Sequence, residues 1–307
     1  MEIAQASARF DQVAGLLPGP LRERVQALPR EKRAKAEELR LRRGQPLFVL
    51  TPQGEEPLAD TSVTGRDLET VLELASASSV HTVMEQIKHG FVGVTGGHRL
   101  GLCGTGVMDG GVLVNLRELS SLSLRVAREF KGLSRDVLPK LWGPDGLKST
   151  LILSPPGGGK TTLLRDLIRA ISSGENCPER RVGVADERGE LAAVAGGAPT
   201  LDIGPRSDVM SGCPKAVGLM TLLRGMNPQV LAVDEVTAPE DVTAMAQAAG
   251  CGVTLLATAH GGTLADLDRR PLYRELMAQG VFGRLVVIWG TGSERRYTVT
   301  DGEGRPC

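Results

Sequence analysis

Nine residues constrain this chain more than any others: Ser154-Pro155-Pro156-Gly157-Gly158-Gly159-Lys160-Thr161-Thr162. The apolar run Leu151-Ile152-Leu153 precedes them. Leu163-Leu164-Arg165-Asp166-Leu167-Ile168-Arg169-Ala170 follows with helical spacing. The order is strand, glycine-rich loop, helix. Three glycines let the backbone curl so that several N–H groups converge on one hollow, and a helix N-terminus adds partial positive charge there. Such a hollow suits phosphate groups. Pro156, Gly157, Gly158, Gly159, Lys160, Thr161 and Thr162 are therefore candidate nucleotide contacts. Lys160 would reach the β- and γ-phosphates of ATP, and the Thr161 hydroxyl would bind Mg2+. The usual pattern begins with glycine. Ser154 holds that place here, while the phosphate-contacting part is intact.

A second motif fits the first. Gln229-Val230-Leu231-Ala232-Val233-Asp234-Glu235 is an apolar run ending in two carboxylates. Strands buried in a parallel sheet read as continuous apolar runs, and ligands gather at their C-terminal ends. Asp234 suits the Mg2+ shell, and Glu235 suits a base that orients and polarises an attacking water. The alternative is a carboxylate pair at a helix N-terminus, since Pro239 marks a helix start soon after.

Composition limits the function classes. The chain has 307 residues, enough for one large or two medium domains. Lys+Arg and Asp+Glu both number 36, so no net charge drives it toward nucleic acid. Aromatic residues make up 3%, which argues against base stacking as a binding mode. No apolar stretch nears the ~20 residues of a spanning helix, and the first nine residues lack a secretion signal pattern. Cys103, Cys177, Cys213, Cys251 and Cys307 are far apart and form no CxxC pair, as expected of free thiols in a reducing cytoplasm.

The chain divides in its organisation. Residues 9–36 look helical, giving a helical N-terminal segment over 1–36. Alternation at Leu39-Arg40-Leu41-Arg42, an apolar run at Pro46–Leu50, helical spacing at Gly65–Ala75 and Val80–Lys88, and a glycine-studded β stretch from Phe91 to Arg128 predict an α+β domain over 37–143. A helix at Leu133–Trp142 leads into the turn cluster Gly143-Pro144-Asp145-Gly146, where the boundary is expected. Over 144–307 strands near 149–153, 181–185, 229–233, 253–257 and 284–289 alternate with helices at 160–172, 214–225, 239–249 and 271–279. This predicts an α/β fold of βαβ units with a mostly parallel sheet. Leu285–Trp289 and Arg295–Thr300, joined through Gly290-Thr291-Gly292-Ser293, read as an antiparallel hairpin at its edge.

Further candidates stand at strand ends. Asp186 and Glu187, in Ala185-Asp186-Glu187-Arg188-Gly189-Glu190, would bind Mg2+ or hold the attacking water. The other reading is a solvated loop with a local Arg–Glu pair. His260, in Thr258-Ala259-His260, would donate to a γ-phosphate, unless it is a satisfied loop histidine. His98 fits either a turn or a subunit interface, and His81 and His89 read as structural. An arginine inserted from a neighbouring subunit is sought among Arg99, Arg117, Arg125, Arg128, Arg206 and Arg224.

Together these segments resemble the stage III sporulation protein AA family of endospore-forming bacteria. The segments are Glu38–Arg42, Gly96-Gly97-His98-Arg99 with Gly101–Gly104, Arg125–Glu129, Pro155–Thr162, Asp186-Glu187-Arg188, Met226-Asn227-Pro228 before Val233-Asp234-Glu235, and Thr258-Ala259-His260. The phosphate loop alone is widespread, whereas the Gly-Gly-His-Arg segment joined to the Asp-Glu-Arg box is far more specific. The family is similar to the secretion ATPases of type II and type IV systems. The resemblance implies a RecA-like P-loop core with a smaller N-terminal domain, a hexameric ring, and ATP hydrolysis with Mg2+. It implies catalytic roles for Lys160, Glu187, Glu235 and His260, and metal contacts from Thr161, Asp186 and Asp234. It further implies membrane-protein partners in a channel between mother cell and forespore, served from the mother-cell cytoplasm at the membrane surface.

Other readings remain. A nucleic-acid-associated ATPase shares such a core, but zero net charge, few aromatic residues and little chain after the last strand argue against it. A small-molecule kinase would need an acceptor site, whereas Asp234-Glu235 and His260 suit water. A nucleotide-gated scaffold would keep the loop without turnover.

Overall fold

The computed structural model of the chain describes residues 3–76, 90–195, 197–290 and 295–307. The helix expected over Val80–Lys88, with His81 and His89, and Thr291-Gly292-Ser293 of the expected turn lie outside them. The chain forms two compact units, Met1–Glu129 with Ala195–Thr200, and Phe130–Val194 with Leu201–Cys307.

The first unit begins with three helices where the sequence suggests continuous helix over 9–36: α1 (Ile3–Ala14), α2 (Gly19–Gln26) and α3 (Arg30–Lys35). Pro18 caps α2, Pro20 lies in its first turn, and Pro29 caps α3. Proline lacks the N–H that a continuous helix would need at each point. These helices are not a separate segment, because Phe10, Val13, Leu21 and Val25 are buried in the same core as the sheet.

That sheet is antiparallel, in the order β3-β2-β1-β6-β5-β4. Its strands are β1 (Glu38–Arg42), β2 (Phe48–Thr51), β3 (Gly54–Pro57), β4 (Phe91–Val94), β5 (His98–Asp109) and β6 (Val112–Arg125). Helix α4 (Gly65–Ser76) packs Leu68 and Val71 into its core. Register sorts the two faces. Leu39 and Leu100 both oppose Leu124, and Leu41 and Leu102 both oppose Leu122, so one apolar face meets the helices. The alternate positions Arg40, Arg42, Arg99, Cys103, Ser121, Ser123 and Arg125 line a cavity of 330 Å3 on the other face. Arg99 and Arg125 are directly opposed. Buried Glu38, 2.6 Å from Arg40 and 3.8 Å from Arg125, offsets that like-charge pairing.

The second unit is doubly wound around a seven-stranded sheet, order β13-β10-β14-β15-β9-β16-β17. Two short strands, β7 (Trp142–Gly143) and β8 (Gly146–Leu147), precede it as a separate hairpin. The sheet strands are β9 (Thr150–Ser154), β10 (Val182–Asp186), β13 (Ser207–Ser211), β14 (Val230–Val233), β15 (Thr254–His260), β16 (Arg284–Trp289) and β17 (Arg296–Asp301). A two-stranded ribbon, β11 (Val194–Ala195) with β12 (Ala198–Pro199), lies between β10 and β13 in the chain. All neighbouring strands of the large sheet run parallel except β16 and β17. Strands β9, β10 and β14 are buried along their whole length, as their unbroken apolar runs require.

Helix α5 (Lys160–Ser173) covers one face through Leu163, Leu164, Leu167 and Ile168. Helices α6 (Lys215–Gly225), α7 (Pro239–Gly250), α8 (Leu264–Asp268) and α9 (Pro271–Ala278) belong to the other. Edge strand β13 was not legible in the sequence, because Ser207-Asp208-Val209-Met210-Ser211 has little apolar signal.

The boundary falls at residue 129, earlier than the expected 143. The backbone N–H groups of Gly132 and Ser134 donate to buried Asp166 of α5 at 3.1 and 2.7 Å, tying this stretch to the second unit. The expected helix at Leu133–Trp142 is a turn followed by a 3-10 segment, Leu138–Leu141. Pro139 lacks the N–H an α-helix would use there. Gly143–Gly146 is the turn of the β7–β8 hairpin, not a linker. Among the described residues, no helix is long and apolar enough to cross a membrane.

Candidate active site

Three parallel strand ends, β9, β14 and β15, converge, and the site is built there. The loop after β9 ends on Gly159, the N-cap of α5, at φ +98. Only glycine holds that conformation without strain. Gly158 is constrained differently. A Cβ placed there would lie 2.4 Å from Ser154 Oγ and 2.7 Å from Ser154 Cβ. Ser154 is fully buried, and its hydroxyl bonds the Pro155 carbonyl at 2.9 Å. The departure from the usual first glycine is therefore accommodated: the serine fills space that Gly158 leaves open.

Lys160 is buried and its ammonium faces inward, 3.3 Å from the Ser154 carbonyl and 3.0 Å from His260 Nδ1. Since Nδ1 accepts from the lysine, Nε2 carries the ring proton and donates to Glu235 Oε1 at 2.5 Å. Lys160, His260 and Glu235 thus form one hydrogen-bonded chain. The other Glu235 oxygen pairs with Arg188 at 3.0 Å. Thr161 Oγ1 donates to one Asp234 oxygen at 2.7 Å, and fully buried Thr258 donates to the other at 2.6 Å. Thr258 Oγ1 also accepts the Glu235 N–H at 2.8 Å. That bond helps hold Glu235 at φ 52, a left-handed conformation costing a non-glycine residue about 1–2 kcal/mol. Unfavourable backbone of this kind clusters at ligand and active sites.

Electrostatics match this geometry. Burial pushes the Asp234 carboxyl up from its ordinary value, although the Thr258 and Thr161 hydroxyls pull it partly back. Burial pushes the Lys160 ammonium down, against the opposing pull of Asp234 and Glu235. A buried carboxylate supported mainly by hydroxyls suits a hard cation, and a desolvated ammonium suits an anion. Thr161 and Asp234 supply oxygen donors of the kind Mg2+ takes. Among the described residues no cluster of three or more His, Cys, Asp or Glu side chains could hold a metal unaided. Such a donor set fits an ion that keeps water and phosphate oxygens as its other ligands.

Two expected site residues are placed differently. Asp186 is buried, and its two oxygens accept the backbone N–H groups of Glu190, Leu191, Ala192 and Ala193 at 2.8–3.3 Å. Those donors occupy the lone pairs that a directly bound metal would need, and they make Asp186 the organiser of its loop. Asp186 and Gly189, three residues apart, carried the turn signal. Glu187 turns to Lys215 of α6, at 2.8 Å; Lys215 also bonds Thr237 at 3.1 Å and approaches Asp241 at 3.9 Å. It is not part of the Lys160–His260–Glu235 chain. Arg188 pairs with Glu235, 47 residues away in the chain. Pro156 and Gly157 are exposed at the loop crest, and Thr162 is half-buried in the first turn of α5.

The arginine candidates separate. Arg128 donates to the Lys35 and Ala36 carbonyls, and Arg206 bonds the Ser172 carbonyl and Glu179. Both therefore serve their own unit. Arg224 lines a cavity of 770 Å3 with Gln229 and Thr254, at the strand ends opposite the phosphate loop. Arg117 and Arg125 are exposed, and Arg99 lies 4.2 Å from the Phe91 ring centre.

His98 is a buried structural residue. Its Nδ1 accepts the Ala127 N–H at 3.0 Å, so Nε2–H donates to Gln12 at 3.0 Å. Burial, with Arg9 nearby, lowers its pKa from 6.5 to about 4. The folded unit keeps the ring neutral, whereas the unfolded chain takes up a proton near pH 6.5. Its contribution is complete above that pH and declines as pH falls toward 4, by about 3 kcal/mol in all. Denaturant unfolding of the chain at stepped pH checks this. His98→Gln should be less stable at pH 7.5 yet show a flatter acid slope, and an unchanged slope would refute the assignment.

Comparison with known proteins gives the family and the fold. The family model "Sporulation stage III, protein AA" matches residues 7–299. Stage III sporulation protein AA of Bacillus subtilis (strain 168) is 36% identical over 280 residues, covering 91% of each chain. Two solved structures share the fold. The pilus retraction motor PilT, solved with bound ADP, superposes with a TM-score of 0.58 at 19% identity, over 86% of this chain and 78% of that one. The Legionella pneumophila ATPase DotB gives 0.56 at 17% identity, over 88% and 78%.

Proposed function

The chain belongs to the stage III sporulation protein AA family, and from that membership we propose that it is a Mg2+-dependent ATPase, a ring-forming motor. The observation that carries this reading is the continuous chain from Lys160 through His260 to Glu235, set beside Thr161, Asp234 and Thr258. The N–H groups opening α5 bind phosphate oxygens, and those oxygens compete with His260 for the Lys160 ammonium. Mg2+, held at Thr161 and Asp234, would supply charge neutralisation on the β- and γ-phosphates. Glu235 is the group placed to accept a proton from the attacking water. His260 fixes its orientation and couples it to Lys160. We assign the base role to Glu235 and not to Glu187, because Lys215 engages Glu187.

Transfer of phosphoryl groups also gains from an arginine of a neighbouring subunit. Arg99, Arg117 and Arg125 are the candidates left accessible in the first unit. A hexameric ring at the mother-cell face of the forespore membrane, acting on channel proteins, is the arrangement this reading favours. It rests on family membership.

Phosphate release by the purified chain, with mass measured in solution at the same concentrations, tests the reading. Lys160→Ala should lower turnover at least about 100-fold while circular dichroism stays unchanged. Normal turnover in that variant sinks the assignment. Stimulation by single-stranded DNA that salt abolishes would point to a nucleic-acid role instead.

A further inference from the structure

We propose that Arg295 forms the nucleoside side of the site, its flat guanidinium being the surface on which the purine base of ATP rests. This inference rests on the ATPase reading above. The sheet order places β9 and its phosphate loop between β15 on one side and β16, then β17, on the other. Asp234, Glu235 and His260, the groups suited to the terminal phosphate, all come from β14 and β15. A nucleotide with its γ-phosphate among them must extend its nucleoside the opposite way, toward β16 and β17.

Arg295 stands there. It alternates with Tyr297 and Val299, which pack into the cluster on the α5 face of the sheet. Its guanidinium lies against the loop glycine that opens α5. The point where a Cβ would stand on Gly159 is 2.9 Å from Cζ and 3.0 and 3.1 Å from the two Nη atoms. Near-equal distances with the central carbon closest mean that the group meets Gly159 face-on. An arginine gripping phosphate presents its N–H edge. Burial pushes the Tyr297 phenol up, and the nearby Arg295 charge pulls it partly back. Buried Arg295 Nε finds no hydrogen-bond partner among the described residues. An arginine kept for ion pairing would not be arranged this way. A planar cation lying flat beside a phosphate loop suits an aromatic base, which stacks on a guanidinium face.

The test compares Mg-ATP, Mg-ADP and Mg-tripolyphosphate by titration calorimetry at one ionic strength, on the full chain and on Arg295→Ala and Arg295→Lys. Tripolyphosphate retains the phosphate contacts and lacks the nucleoside. Arg295→Ala should weaken ATP and ADP at least about tenfold, the scale of one lost base stack, and leave tripolyphosphate unchanged. Arg295→Lys, with the charge but not the plane, should fall between. Equal losses for ATP and tripolyphosphate would make Arg295 a phosphate ligand and overturn the inference, as would unchanged ATP binding. Should Arg295→Ala fail to fold, Arg295→Lys decides by the same comparison. Binding of none of the three by the unsubstituted chain would overturn the ATPase reading itself, a result separable from a defect confined to the variants.

Discussion

Glu235→Gln should bind ATP with affinity within about threefold of the unsubstituted chain and hydrolyse it about 100- to 10,000-fold more slowly. The amide has the shape of the carboxylate and can still accept the His260 Nε2 proton. It should keep the φ 52 backbone, since Thr258 still holds its N–H. What it cannot do is accept a proton from water. Loss of kcat with retained binding is therefore the signature of a base. The control is Glu187→Gln, which disturbs the Lys215 cluster instead. That variant should unfold at lower denaturant while keeping turnover within about threefold. The reverse pattern, with Glu187→Gln inactive and Glu235→Gln active, would move the catalytic role to the loop after β10.

The second large effect concerns the loop. Gly158→Ala should cost about 1–3 kcal/mol of stability and at least about tenfold in ATP affinity. Its backbone is not in the left-handed region, so alanine is conformationally allowed there. The obstacle is steric, because the new methyl meets Ser154 Cβ and Oγ inside contact distance. Ser154→Gly removes both atoms. The double variant Ser154→Gly/Gly158→Ala should therefore recover most of the lost affinity, with a coupling of about 1–2 kcal/mol. The Pro155 carbonyl, 3.1 Å from the added Cβ, makes recovery incomplete. Binding measured on all four forms decides the matter. Strictly additive losses would mean that Ser154 and Gly158 do not share this space.

Much of the second unit is legible from local pattern. Continuous apolar runs at Leu151–Leu153 and Val230–Val233 can only be buried strands, and Lys160, Thr161 and Asp234 stand at their ends by simple reading. Proline positions carry the helix breaks of the first unit, although the surrounding helical periodicity masked them. Signals spread over distance were not legible. Glu235 reaches Arg188 from 47 residues away and Ser134 reaches Asp166 from 32, and neither spacing leaves a mark in the chain. Arg295 reads as one more charge at a strand start until β17 is placed beyond β16.

Sequence alone determined that this chain has a glycine-rich loop between strand and helix, a parallel α/β core and an acidic strand end, because each depends on residues adjacent in the chain. Tertiary structure decided which acidic groups face that loop. Asp186 and Asp234 look alike at strand ends, yet four backbone N–H groups engage the first, while two threonine hydroxyls support the second. A carboxylate takes its role from the donors that reach it, and those donors are brought by strand order and loop path, not by its neighbours in sequence.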